Sequence, residues 1–199
     1  MGQKHSRKQR IGSDAEVESL ASDTHFTTQE IQNLKDTFRQ TAGRSTESLN
    51  EELFKKTLHR VIRPNSPKDD VFLERLFKAF DVDNNKEIDF REFVDGLSAF
   101  MKGTSEEKLE LSFKLYDMNQ DGLVTQEEMI DVMKKLASVL STEDQSMNIT
   151  QAVARLFEDV DLNGDGRLTL EEFKLSAMKE PLVIDYLTGR IITYNLLHL

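Results

Sequence analysis

Three twelve-residue stretches of the chain carry side-chain oxygens at the spacing of a calcium-binding loop, at residues 81–92, 117–128 and 161–172. A loop of this kind binds through side-chain oxygens at positions 1, 3 and 5, the backbone carbonyl at 7, often a water held by 9, and both oxygens of a glutamate at 12. Ca²⁺ is a hard cation that takes about six to eight oxygens in a tolerant geometry. The repeated spacing makes calcium binding the dominant hypothesis for this protein.

The candidate ligands occupy the same six positions in every stretch. In the first they are Asp81, Asp83, Asn85, Glu87, Asp89 and Glu92. In the second they are Asp117, Asn119, Asp121, Leu123, Thr125 and Glu128. In the third they are Asp161, Asn163, Asp165, Arg167, Thr169 and Glu172. The residues at position 7 enter these sets through their backbone carbonyls.

The three loops differ at position 6, where the backbone needs a positive φ angle that glycine adopts freely. The second and third loops have Gly122 and Gly166 there, and their position-12 glutamates favour Ca²⁺ over the smaller, octahedral Mg²⁺. The first loop has Lys86, whose left-handed conformation costs on the order of 1 kcal/mol. The extra carboxylate of Asp89 can offset this cost, and a site that holds Mg²⁺ at rest is an open alternative for this loop.

Apolar residues recur at steps of three and four before and after each loop, which predicts an amphipathic helix on either side. The loops begin 36 and 44 residues apart, so the helix–loop–helix unit is an internal repeat. Counting back by about one repeat leads to the neighbourhood of Ala42. The segment there keeps the pattern of the flanking helices and an apolar residue, Leu49, but it lacks the acidic ligands. We interpret this segment as a fourth, silent unit.

Position 8 of each loop is apolar, at Ile88, Val124 and Leu168. Such residues pair adjacent loops through a short antiparallel ribbon. We therefore expect an all-α fold of two lobes, each built from two helix–loop–helix units. The expected organisation is a flexible basic tail at 1–25, an N-terminal pair at 26–102, a C-terminal pair at 103–180 and an apolar segment at 181–199, with a hinge near 102–105.

The N-terminus fits a myristoylation pattern, with glycine at Gly2 and a hydroxyl residue at Ser6. One acyl chain binds a membrane only marginally, so a second signal is needed. Four positive charges within the first ten residues can supply it by attraction to anionic lipid, at about 1 kcal/mol per charge. They are Lys4, Arg7, Lys8 and Arg10. The alternative is a plain solvated basic tail.

The segment 181–199 is unusually apolar for a C-terminus, but Asp185 and Arg190 interrupt it, so it is no membrane span. Two interpretations stay open. The segment is a last helix that completes the core, or it packs into a groove of the protein itself and competes with targets.

The composition narrows the function classes. A net charge of −10 argues against nucleic-acid binding, and the absence of cysteine excludes disulfides, thiolate metal sites and cysteine nucleophiles. Without a signal peptide or an apolar span, we expect a cytoplasmic protein whose membrane contact is peripheral. We expect no enzyme, because the histidines are scattered and no nucleophile elbow or glycine-rich phosphate loop is present.

The chain over about 27–190 resembles the neuronal calcium sensor family of EF-hand proteins and its relatives, the calcineurin B-like proteins and calaxin. The resemblance lies in the silent first unit and in the stretches at 103–109, 113–117, 165–173 and 179–181. The chain departs from the sensor pattern in the loop of the silent first unit, which lacks the Cys-Pro pair of that branch. It departs again at Lys86 and after Pro181.

The resemblance implies a sensor that uncovers an apolar groove on binding Ca²⁺ and takes an amphipathic helix of a target protein. The groove lining would come from the phenylalanines and from Met101, Met118, Met129 and Met133, although residues of these types are more often plain core. One alternative is a permanent regulatory subunit of a phosphatase or kinase, as in calcineurin B-like proteins. Another is a calcium buffer that barely opens.

Overall fold

The computed structural model describes residues 13–43, 47–61, 70–138 and 146–179. The N-terminal part consists of α1 (Asp14–Asp23), α2 (Thr28–Ala42), β1 (Ser48–Leu49), α3 (Glu51–Val61), α4 (Asp70–Phe80), β2 (Ile88–Asp89) and α5 (Phe90–Lys102). The C-terminal part consists of α6 (Ser105–Tyr116), β3 (Val124–Thr125), α7 (Gln126–Ser138), α8 (Ser146–Val160), β4 (Arg167–Leu168) and α9 (Leu170–Lys179). The expected all-α class with short ribbons is confirmed. Among the helices of the described ranges, none is both long and apolar enough to cross a bilayer.

Two antiparallel ribbons join the loops in pairs. β1 pairs with β2, with Leu49 opposite Ile88, and β3 pairs with β4, with Val124 opposite Leu168. All four side chains are fully buried. The apolar residues at loop position 8 therefore act as the sequence predicts, and the silent first unit keeps its strand.

Helix α1 lies inside the segment that the sequence analysis assigned to a flexible tail over 1–25. The Ser13 side chain caps it by accepting a hydrogen bond from the Glu16 amide at 3.2 Å. Val17 and Leu20 are buried in the N-terminal core. Residues 14–23 are therefore helical, and Gly2 with its basic neighbours lies outside the described residues.

The start of α2 is tied to the end of α5. Thr27 and Glu30 form the reciprocal capping box that their spacing predicts. Glu30 also accepts a hydrogen bond from the Lys102 ammonium at 2.6 Å. This bond, with those from Thr27, lowers the pKa of Glu30 to about 2. The Lys102 ammonium also lies 5.0 Å from the centroid of the Phe26 ring, a cation–π contact.

Aromatic residues form the centre of the N-terminal core. The Phe54 ring lies edge-on to Phe77, Phe80 and Phe93, at centroid distances of 5.5, 5.4 and 6.4 Å. These are preferred geometries for ring pairs. The three partners come from α4 and α5, so one residue of α3 packs against both helices that flank the loop at 81–92.

Helix α6 belongs to both cores. Leu111 and Leu115 are part of the N-terminal cluster, whereas Leu109, Phe113 and Tyr116 are part of the C-terminal cluster. Only residues 103–104 separate α6 from α5. The two halves of the described chain therefore pack on opposite sides of one helix.

Candidate metal centres

The first aspartate of each loop is held by backbone amides of the same loop. In all three loops its two carboxylate oxygens accept hydrogen bonds from the amides of positions 5 and 6. The bonds run from Asn85 and Lys86 to Asp81 at 3.0 and 2.9 Å, from Asp121 and Gly122 to Asp117 at 3.2 and 2.9 Å, and from Asp165 and Gly166 to Asp161 at 3.2 and 2.8 Å. The three loops thus share one backbone arrangement around position 1.

The glutamate at position 12 spans the two ends of its loop. One carboxylate oxygen accepts from the amide of position 2 and the other from the amide of position 9. The bonds run from Val82 and Asp89 to Glu92, both at 3.0 Å, from Met118 and Thr125 to Glu128 at 3.3 and 2.9 Å, and from Leu162 and Thr169 to Glu172 at 3.3 and 3.0 Å. Each glutamate lies in the first turn of the helix that leaves its loop.

The carboxylates converge closely in the loop at 81–92. One oxygen atom from each of Asp81, Asp83 and Glu92 lies within 4.8 Å of the other two. Burial raises the pKa of Glu92 and likewise that of Asp117 in the next loop. Three converging carboxylates supply the hard oxygen ligands that Ca²⁺ and Mg²⁺ prefer, so the residues present fit a divalent cation.

The carboxyl group of Glu172 in the third loop behaves differently. Hydrogen bonds from the backbone and the side chain of Thr169 lower its pKa. Its side chain is nevertheless buried. This glutamate is thus held in the charged form that metal binding requires.

The backbone of each loop turns through left-handed residues at positions 4 and 6. The φ angles are 59° at Asn84 and 65° at Lys86, 58° at Gln120 and 82° at Gly122, and 70° at Gly164 and 78° at Gly166. The left-handed conformation expected for Lys86 is present, and its amide still reaches Asp81. The structure thus gives the loop at 81–92 the same backbone as the other two, although without glycine.

Comparisons with known proteins match this architecture. The family described as "EF-hand domain pair" matches residues 106–177. The chain is 34% identical to a recoverin family protein of Dictyostelium discoideum over 208 aligned residues, which cover 94% of this chain and 90% of that protein. It is 35% identical to calcineurin B of Candida glabrata over 159 residues, covering 79% and 85% of the two chains.

The chain belongs to the neuronal calcium sensor and calcineurin B-like group of EF-hand proteins. The resemblance drawn from the sequence is confirmed. EF-hand units bind Ca²⁺, and the group consists of calcium sensors and calcium-dependent regulators. The arrangement of the three loops around their first aspartates and last glutamates is the EF-hand arrangement.

The first helix–loop–helix unit contacts the next unit through a side chain as well as through the ribbon. The Ser48 hydroxyl donates a hydrogen bond to the Glu87 carboxylate. Glu87 is at loop position 7, where an EF-hand uses the backbone carbonyl. Its side chain is therefore available to bind across the ribbon without leaving the ligand set.

Most of the apolar side chains that the structure describes are buried. Met129 and Met133, which the sequence analysis considered for a groove, are buried, and Met101 and Met118 are packed against the two cores. Among the described side chains, the large apolar ones that are exposed are Val82, Leu162 and Leu175. In this conformation the candidate groove residues are therefore core.

Replacing Lys86 by glycine is expected to tighten calcium binding at the loop over 81–92 by about three- to fivefold. The gain comes from removing a strain on the order of 1 kcal/mol at a φ of 65°. Lys86→Ala is the matched control, because it removes the same charge and keeps the strain. Calcium titration followed by NMR at the backbone amide of this position measures the difference. Equal affinity of the two variants would show that the backbone strain is unimportant.

Proposed function

We propose that this EF-hand protein is a calcium sensor that exposes an apolar groove when Ca²⁺ binds and that regulates a target protein. The observation that carries the proposal is the place of the three position-12 glutamates. Each is bonded to both ends of its loop and lies in the first turn of the following helix. A shift of the glutamate toward a bound ion would therefore act directly on this helix.

The mechanism follows from these helices. Glu92, Glu128 and Glu172 would hold Ca²⁺ together with the other loop oxygens, and the bound ion would supply positive charge that offsets the clustered carboxylates. A shift of these glutamates would change the angles of α5, α7 and α9 to the helices before the loops. In sensor EF-hands this change uncovers apolar residues. Met129 and Met133, one turn apart on α7 and buried here, support such a surface. An amphipathic helix of a target protein would lie on it.

The proposal includes at least two calcium sites, in the loops over 117–128 and 161–172, and a third in the loop over 81–92. The two later loops have glycine at position 6 and a complete set of ligands. The loop over 81–92 has the converging carboxylates and the strained Lys86. Mg²⁺ in this loop at rest is the alternative, because its extra carboxylate suits either cation.

The experiment that tests the switch is the binding of an apolar fluorescent dye to the full-length protein with and without Ca²⁺, in millimolar Mg²⁺. We expect a large rise in fluorescence with Ca²⁺, because apolar residues leave the core. Mg²⁺ alone is the control for the effect of divalent charge. An unchanged signal would contradict the simple switch and favour a buffer or a groove that is already filled.

We further propose that the protein acts at a membrane surface through an acylated Gly2 and the basic residues that follow it. These residues lie outside the described structure, and the proposal is supported by the sequence pattern. The mass of the N-terminal peptide from eukaryotic cells tests the acylation. Flotation of wild type and Gly2→Ala with anionic vesicles tests the membrane contact.

A constitutive regulatory subunit is the second candidate, favoured by the identity with calcineurin B over most of both chains. A partner that stays bound during purification in a calcium chelator would support this candidate against a reversible sensor. The apolar segment 181–199, which could complete the core or compete with targets, lies outside the described residues.

A further inference from the structure

One hydrogen bond joins the loop over 117–128 to the helix before the loop over 81–92. The side-chain amide nitrogen of Gln120 donates to the backbone carbonyl of Lys78 at 2.7 Å. Gln120 is at position 4 of its loop, which contributes no ligand. Lys78 lies in α4, three residues before Asp81, the first ligand of the other loop.

The Lys78 carbonyl accepts a hydrogen bond from a donor outside its helix. It belongs to the last turn of α4, where carbonyls lack an intrahelical partner. The amide four residues on, that of Val82, would ordinarily bond to it, but this amide donates to Glu92 at 3.0 Å. Glu92 thus accepts the Val82 amide hydrogen bond that Lys78 would otherwise receive. The Gln120 side chain of the next loop supplies the replacement donor.

Gln120 occupies the left-handed position 4 that all three loops share. Its φ of 58° lies in the left-handed region, which is unfavourable for a residue with a long side chain. The equivalent positions of the other loops are Asn84 and Gly164, both residue types that adopt this region more readily. A glutamine side chain is long enough to contact the Lys78 carbonyl, whereas the left-handed backbone alone would favour asparagine or glycine.

A second contact crosses the same boundary. The Arg75 guanidinium of α4 lies 3.6 Å from the Asp131 carboxylate of α7, which follows Glu128 by one turn. The pair is long, and Asp131 is bonded more closely to Lys135 at 2.7 Å. The Gln120 bond is the shorter of these two polar contacts between α4 and the second EF-hand.

We propose that Gln120 is a positioning residue that couples calcium binding in the loop over 81–92 to calcium binding in the loop over 117–128. The Gln120 bond fixes the second loop to the helix that leads into Asp81, the first ligand of the other loop. An ion that orders either loop also orders this shared contact, so it raises the affinity of the other loop by the same factor. The inference rests on the proposed calcium binding in both loops.

The loops can be followed separately in the full-length protein by NMR. The amides of Lys86, Gly122 and Gly166 each donate to the first aspartate of their own loop, at 2.9, 2.9 and 2.8 Å. Disabling the second loop with Glu128→Gln should raise the calcium concentration at which the Lys86 signal changes. One hydrogen bond predicts a rise of about three- to tenfold.

Three substitutions of Gln120 separate the bond from the strain. Gln120→Glu keeps size and strain but removes the donor, Gln120→Gly removes donor and strain, and Gln120→Lys keeps a donor. We expect that Glu128→Gln no longer shifts the Lys86 signal in the Glu and Gly variants, and that it shifts this signal again in the Lys variant. Gln120 is exposed, so these variants should fold as wild type does.

The outcomes are distinguishable. A wild-type shift that persists in Gln120→Glu and Gln120→Gly overturns the coupling role of Gln120 and leaves the proposed function intact. If the NMR signals of the Lys86 and Gly122 amides do not change when Ca²⁺ is added to the wild type, calcium binding at these loops is overturned, and the coupling with it. A loss of coupling in Gln120→Glu alone, but not in Gln120→Gly, would assign the effect to charge and likewise overturn the proposal.

Discussion

Glu128→Gln and Glu172→Gln are each expected to remove one calcium ion from the protein at concentrations that saturate the wild type. The glutamate supplies two oxygens and a full charge, and its carboxylate bridges both ends of its loop. Loss of groups that only support a ligand costs about 10- to 100-fold in metal affinity, so loss of the ligand itself should cost at least about 100-fold. Isothermal titration calorimetry measures the stoichiometry and the affinity.

The chain offers a matched control beside each glutamate. Glu127 and Glu171 directly precede the ligands, are exposed, and lie on the same helices. Glu127→Gln and Glu171→Gln remove the same charge without touching the coordination sphere, and they should keep the wild-type stoichiometry. An unchanged stoichiometry in Glu128→Gln would mean that the loop over 117–128 does not bind Ca²⁺ in the proposed way.

Phe54→Ala is expected to lower the free energy of unfolding of the N-terminal half by about 3–5 kcal/mol. The ring is fully buried and lies edge-on to three other phenylalanines. Its removal leaves a cavity among α3, α4 and α5 that these rings cannot all fill. Urea denaturation followed by circular dichroism in excess Ca²⁺ measures the loss.

Val82→Ala serves as the control for this substitution, because its side chain is 67% exposed and should cost less than about 0.5 kcal/mol. Phe54→Leu, which keeps most of the volume, should fall between the two. A loss below about 1 kcal/mol for Phe54→Ala would show that the N-terminal core can rearrange around the missing ring.

The loops were predictable because each is a short local segment whose ligands alternate along the chain. The position of Leu49 opposite Ile88 could also be foreseen, since the repeat fixes where each strand must fall. The left-handed backbone at Lys86 followed from the same register. In these cases local sequence determines local geometry, and tertiary contacts only confirm it.

Contacts between distant segments could not be predicted from the sequence in this way. Helix α1 was missed because its inward face consists chiefly of Val17 and Leu20, too few apolar residues to show a period. The bond from Gln120 joins residues 42 positions apart, and a glutamine in a polar loop carries no signal of its partner. Sequence also could not separate core from groove at Met129 and Met133, because both roles require an apolar residue on the same helix face.

The presence of α1 shortens the segment that can separate the N-terminus from the body of the protein. Counted from a body that begins at residue 26, the segment before it could reach about 80 Å, whereas residues 1–12 reach at most about 40 Å. The end of α1 is tied to the rest of the protein, because the His25 amide donates a hydrogen bond to Ser98 and the His25 ring is hydrogen-bonded to Glu107. An acyl group on Gly2 would therefore hold the start of α1 within about 40 Å of the bilayer, so that the body of the protein stays next to the membrane surface.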